Sequence, residues 1–155
     1  RFTLADGETI DALADRRWTA MQCFLADYAD GGRAGRYLAG ALPDLPFADD
    51  AFDLALCSHL LFLYEGQLSQ LFHLRALGEL LRVAREVRVF PLVNLDARTS
   101  AYLAPIQTAL SGLGAASELV AVAYEVQRGA RHMLRITRSS SGSSPDLARI
   151  LAEYG

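Results

Sequence analysis

Three residue types that usually carry chemistry are scarce in this chain: two cysteines, three histidines and one tryptophan among 155 residues. Cys23 and Cys57 lie in apolar surroundings with no metal-like spacing, so they are expected to be reduced core thiols of a cytoplasmic protein. No run reaches 18 apolar residues, which excludes a membrane-spanning helix by length. Positive charge is also in short supply. A net charge of −3 gives no global attraction to nucleic acid or to an anionic membrane. Arg128, Arg131, Arg135 and Arg138 cluster, but around an expected hairpin, where a solvated edge strand explains them better than a phosphate site. The start, "RFTLADGETID", carries no basic-then-apolar signal and resembles the middle of a longer protein. No Ser-His-Asp ordering, carboxylate pair or metal cluster stands out.

What is present is a soluble-type composition, 52% hydrophobic and 21% charged, in a length that suits one domain with a real core. Ile10, Ala14, Arg17, Met21, Phe24 and Tyr28 recur at helical spacing, widened by Leu13, Trp18 and Leu25, and predict a long amphipathic helix stopped at Gly31-Gly32. "GGRAG" follows a helix and precedes an expected strand at 35–42, the reverse of the order a phosphate-cradling loop requires. The stretch "ALPDLPFADDAFDLALCSHLLFLY" (41–64) then packs a proline-broken loop, an acidic turn and an apolar run together. Pro43 and Pro46 hold the approach extended, and Asp49-Asp50 turns it. The run 52–58 is expected to be a strand buried on both faces, as in a parallel sheet, ending at the polar pair Ser58-His59.

Leu68, Leu71, Phe72, Leu77, Leu80, Leu81 and Ala84 mark a second amphipathic helix, with His73 expected at its surface. A strand near 86–92 follows, fraying at Pro91, and then a helix near 101–112 with Pro105 in its first turn. "SELVAVAYEV" and "HMLRITR" predict a closing hairpin, with His132 at its surface. "SSSGSSPD" predicts a flexible linker before a short helix at 147–154. The order of elements implies an α/β fold: a parallel pair at 52–58 and 86–92, with the strand at 131–138 inserted antiparallel between 86–92 and 117–126.

"LPFADDAFDLALCSH" resembles the "LPF-x-D-x-x-FD-L-V" stretch of class I S-adenosylmethionine-dependent methyltransferases. "ELLRVAREVRVF" is similar to their segment leading into the fifth strand, and the hairpin to their sixth and seventh strands. The resemblance covers about residues 35–138. It implies a Rossmann-like sheet ending in the order 4-5-7-6, with residues 1–138 a partial domain (1–34 a helical lead-in) and 139–155 a linker and helix. It also implies S-adenosylmethionine as cofactor, with Ala41 and Leu42 at the adenine and Cys57, Ser58 and His59 beside the methionine end. Where the family commonly has an adenine-binding Asp, this chain has Ala41, so the resemblance carries over the backbone contact in preference to a side-chain contact from nearby Asp44. The family's glycine-rich first-strand loop and ribose-binding acid do not occur before Gly35.

The expected activity is therefore methyl transfer to an unknown acceptor by a fragment of a longer enzyme, with the 155-residue chain alone inactive. Methyl transfer is an in-line displacement that needs positioning more than acid-base machinery. His59 is the candidate base and Tyr64 the candidate aromatic residue at the site, with Phe62 behind it. A hydrogen bond at a strand end explains His59 better than a base does, and core packing explains Phe62 at least as well. The alternatives are a non-catalytic remnant of the fold acting as a binding or dimerisation module, and an unrelated small α/β domain. A strand at 52–58 with one open edge also predicts a cover, by residues 1–36, an upstream segment or a homodimer.

Overall fold

The computed structural model describes residue 7, residues 9–123, residue 125 and residues 127–138. The elements are α1 (Ile10–Arg33), β1 (Phe52–Ser58), a 3-10 turn (Phe62–Tyr64), α2 (Gln70–Val83), β2 (Ala84–Phe90), α3 (Leu103–Gly112), β3 (Ala115–Ala121) and β4 (His132–Arg138). The linker and helix expected at 139–155 lie outside the described residues.

Helix α1 starts where Thr9 accepts a hydrogen bond from the Ala12 amide at 3.1 Å, an ordinary N-cap. It does not stop at Gly31-Gly32, as expected; both glycines are helical and the left-handed residue is Gly35, at φ +71°. Gly31 serves a different need, because a Cβ there would collide with the Tyr37 ring. Tyr37 stacks with Phe24 and Tyr28 at centroid distances of 5.4 and 5.5 Å, and its hydroxyl donates to Asp27 at 2.8 Å. This pinning is also why 35–42 is not the strand expected. The segment is tied to a helix rather than to a sheet edge, and it ends in a turn closed by an Ala41–Asp44 bridge.

The four strands form one mixed sheet in the order β1-β2-β4-β3. Strand β1 pairs parallel with β2, setting Ala55 opposite Val87 and Cys57 opposite Val89. Strand β4 lies antiparallel between β2 and β3. The architecture is α/β with a four-stranded mixed sheet, and its order differs from that of an all-parallel doubly wound sheet.

Helices α2 and α3 cover one face. Cys57, Val87, Val89, Leu134 and Ile136 point into it and meet Leu74, Leu77 and Leu81 of α2 and Ile106 and Leu110 of α3. The alternation that buries those residues sends their strand neighbours to the other face. There Arg88 bonds Glu86 at 2.6 Å, and Arg135 bridges Glu86 at 2.9 Å and Glu118 at 2.8 Å. The arginine cluster thus includes ion-pairing residues: Arg135 here, and Arg138 with Asp50. Strand β1 is not buried on both faces. Ala55 and Cys57 face the core, but Phe52, Leu54 and Leu56 are 42%, 41% and 70% exposed. Among the described strands, β1 has β2 as its neighbour and an open edge on its other side.

His73 corrects a further expectation. It is fully buried, because its position on α2 points between Phe62 and Tyr102, at ring distances of 5.4 and 5.3 Å. Its Nδ1 bonds the Ser69 carbonyl at 2.8 Å, which satisfies one polar atom and lets the ring enter the core.

Candidate functional site

The loops that leave β1 and β2 meet at the carboxyl ends of the two parallel strands, the edge where open α/β sheets bind ligands. The chain leaves β1 through Ser58 and His59. His59 is held at φ +56°, a conformation rare for a non-glycine residue, while its amide donates to the Phe90 carbonyl at 2.8 Å. That bond is the last rung between the loops. The Ser58 hydroxyl lies 2.7 Å from His59 Nδ1, and the His59 ring stands edge-on to Phe90 at 6.0 Å. Both Ser58 and His59 are exposed. A strained backbone that aims an imidazole and a hydroxyl outward from a strand end is the site's main feature.

Cys57 sits one residue earlier and points the other way. Burial pushes its thiol up, and a hydrogen bond with the Leu61 backbone only partly opposes this. Its side chain therefore packs, and only its backbone reaches the strand end. Tyr64 closes the 3-10 turn and is 38% exposed, whereas Phe62 and Leu63 beside it are buried. The packing alternative holds for Phe62.

Ala41 is exposed in the turn it closes with Asp44, whose amide donates to the Ala41 carbonyl at 2.9 Å; Leu42 is half-buried against the core. Among the described residues, no hydrogen bond or ring contact joins Ala41 or Leu42 to Ser58 or His59. The structure thus brings Ser58 and His59 together and leaves the two expected halves of the site unlinked by direct contact.

Two carboxylates that the sequence did not single out organise the loops. Glu65 accepts from the Ser100 hydroxyl, from Asn94 Nδ2 at 2.6 Å and from the Ala101 amide at 3.0 Å. Burial raises its pKa, but the bonds from Ser100, Asn94 and Ala101 outweigh this and hold the carboxyl below its ordinary value. Tyr102, which caps α3, offers no side-chain hydrogen bond; its own amide donates to Ser100 Oγ at 3.2 Å, and Glu65 holds the approach to the helix through Ser100 and the Ala101 amide. Glu79 does the corresponding work below. It accepts from Arg82 at 2.7 Å and from the Leu45 amide at 2.8 Å, and Arg82 reaches on to the Phe47 carbonyl at 2.9 Å and to Asp49 at 2.7 Å. The bond from Arg82, against a smaller opposing effect of burial, keeps Glu79 below its ordinary value. The loop from Leu45 to Asp49 is thereby fastened to α2. Neither residue had a local signal, since apart from Arg82 their named partners lie 29 to 36 positions away.

A nucleoside-sized ligand would fit this edge only in part. Ser58 Oγ, His59 and backbone amides offer hydrogen bonds in the open, but Ala41 brings no carboxylate to an exocyclic amine. The hollow under the 92–103 loop, lined by Leu92, Thr99, Leu103, Leu119 and His132, holds about 110 Å³. Small-molecule clefts generally run to several hundred Å³. Among the described residues no group of three or more His, Cys, Asp or Glu is placed to hold a metal ion, and no helix is long and apolar enough to cross a membrane.

No protein-family model matches the chain, and no solved structure matches it. An uncharacterized protein of Methanocaldococcus jannaschii is 30% identical over 137 residues, 88% of this chain and 59% of the relative. The chain therefore spans less than two thirds of that relative's length.

Proposed function

We propose that this chain forms part of a class I S-adenosylmethionine-dependent methyltransferase, with the methionine end of the cofactor at Ser58 and His59 and its adenine near Ala41 and Leu42. One observation carries the reading. The parallel pair β1–β2 ends in an exposed Ser58-His59 corner, and the pair is followed by an antiparallel β4 inserted between β2 and β3. That order, on a chain containing "LPFADDAFDLALCSH", is the one the resemblance implies.

The cofactor supplies an electrophilic methyl group; this chain's residues supply position. The His59–Phe90 backbone bond and the Glu65 network hold the two loops at fixed separation, so a ligand at the corner meets a preformed edge. His59, whose Nδ1 lies beside the Ser58 hydroxyl, keeps Nε2 for an acceptor that begins protonated. Tyr64 offers a partly exposed ring near that corner. The acceptor is a small molecule or another group of unassigned chemistry.

A second reading is a binding or dimerisation module derived from the same fold. Ala41 in place of an adenine-binding acid favours it. Titration calorimetry with S-adenosylmethionine separates the two. In a chain extended to the relative's length, cofactor should bind, and Ser58→Trp should weaken binding at least tenfold without changing the melting temperature. The 155-residue chain should bind weakly or not at all. Unchanged affinity in Ser58→Trp removes the placement, and absence of binding by the extended chain favours the module.

A further inference from the structure

Helix α1 is long, regular and almost unpacked. Of its 24 residues only Gly31 is buried. In proteins most of a helix's stability comes from packing an amphipathic face rather than from intrinsic propensity. Its exposed apolar residues are not scattered. Ala14, Trp18, Met21, Leu25 and Tyr28 follow one another at alternating spacings of four and three, the 3.5-residue repeat of a helix that packs along another helix. Trp18, Leu25 and Tyr28 are 61%, 56% and 55% exposed. Tyr37 covers the neighbouring flank at Phe24 and meets the last seam residue, Tyr28.

We infer that this seam pairs, antiparallel, with α1 of a second copy of the chain. Three observations select that occupant. The repeat demands a helix as partner, and a two-fold axis lets one helix serve both sides. The exposed area of Ile10, Trp18, Met21, Leu25 and Tyr28 is roughly 600 Å² per copy, most of the ~800 Å² that each partner contributes to a standard interface. Asp11 and Asp15 lie on one flank in the first turns, and Arg33, which also pairs with Asp30 of its own turn, lies on the same flank in the last. Antiparallel copies set those acids opposite the partner's Arg33, whereas parallel copies set each at the level of its own duplicate. The inference is independent of methyl transfer.

Sedimentation velocity over a concentration series tests it. The wild-type chain should dimerise in the micromolar range, and Leu25→Glu or Met21→Glu should weaken the dimer at least tenfold, with a loss of helical circular dichroism on dilution. Leu56→Glu, on the open face of β1, should leave the dimer unchanged. Asp15→Arg should weaken it, and Asp15→Arg combined with Arg33→Asp should restore it. A wild-type monomer throughout the series overturns the inference, as does a dimer broken by Leu56→Glu but not by Leu25→Glu. A dimer indifferent to the charge reversals overturns the antiparallel arrangement.

Discussion

The two regions of this molecule solve the same problem differently. From Leu61 to Arg138, strands β2, β4 and β3 bury one face under α2 and α3 and cover the other with the Glu86, Arg88, Arg135 and Glu118 ion pairs. From Ile10 to Ser58, α1 and the outer face of β1 carry apolar side chains that are only partly covered, Phe24 and Tyr28 by Tyr37 and Phe52 by Phe47. A charged outer face on an antiparallel sheet suits water; a bare apolar strand edge invites a partner. The difference teaches where this chain is self-sufficient and where its sequence anticipates further contacts.

Removing core from the self-sufficient region should have the largest effect. Leu77→Ala opens a cavity at a fully buried position and should cost about 3 kcal/mol in urea denaturation. A cost below about 1 kcal/mol would mean that the site collapses and the region is less well packed than described.

Glu79→Ala comes next. It strips from Arg82 the carboxylate that takes two of its hydrogen bonds and releases the Leu45 amide, and should cost about 2–3 kcal/mol. The pH dependence has the same origin. Glu65 and Glu79 both have folded values below the ordinary one, so their contribution is complete above the unfolded pKa and is lost as pH falls through the folded value. Stability should therefore be flat from neutrality to about pH 5 and decline below it. Glu79→Gln should flatten that decline. An equally steep decline in Glu79→Gln would place the acid sensitivity elsewhere.

The contrast between the regions was only partly legible in the sequence. Leucine periodicity marked α2, and alternation marked β2 and the hairpin, because these elements bury one face by their own pattern. The apolar run at β1 suggested burial on both faces, but burial depends on what lies beside a strand, and a run of side chains does not encode that. Gly31 reads as a helix stop in the sequence, since its role depends on Tyr37, six residues on. A mid-helix histidine reads as a surface residue, but the Nδ1 of His73 finds the Ser69 carbonyl one turn away. At the site, Ser58 and His59 were visible as the polar end of an apolar run, while Glu65 was not, since its partners come from the loop after β2.

Smaller effects sharpen the comparison. His59→Gly relieves a left-handed backbone and should stabilise the fold by a few tenths to about 1 kcal/mol while removing the site's imidazole. A clear loss of stability would instead make His59 a packing residue against Phe90. Leu56→Thr, on the uncovered face, should change stability by no more than about 0.5 kcal/mol in the monomer. A cost several times larger would show that the outer face of β1 is already packed.

The central claim is that the strand-end corner at Ser58 and His59, with the turn at Ala41 and Leu42, forms a cofactor edge. Titrating S-adenosylhomocysteine into the isotope-labelled chain extended to the relative's length, and following backbone amide shifts, tests it most directly. The account predicts perturbations, however weak the binding, concentrated at 41–44 and 57–60 and extending to Tyr64. Silence at both segments, or shifts gathered instead on the outer face at Glu86, Glu118 and Arg135, would contradict it.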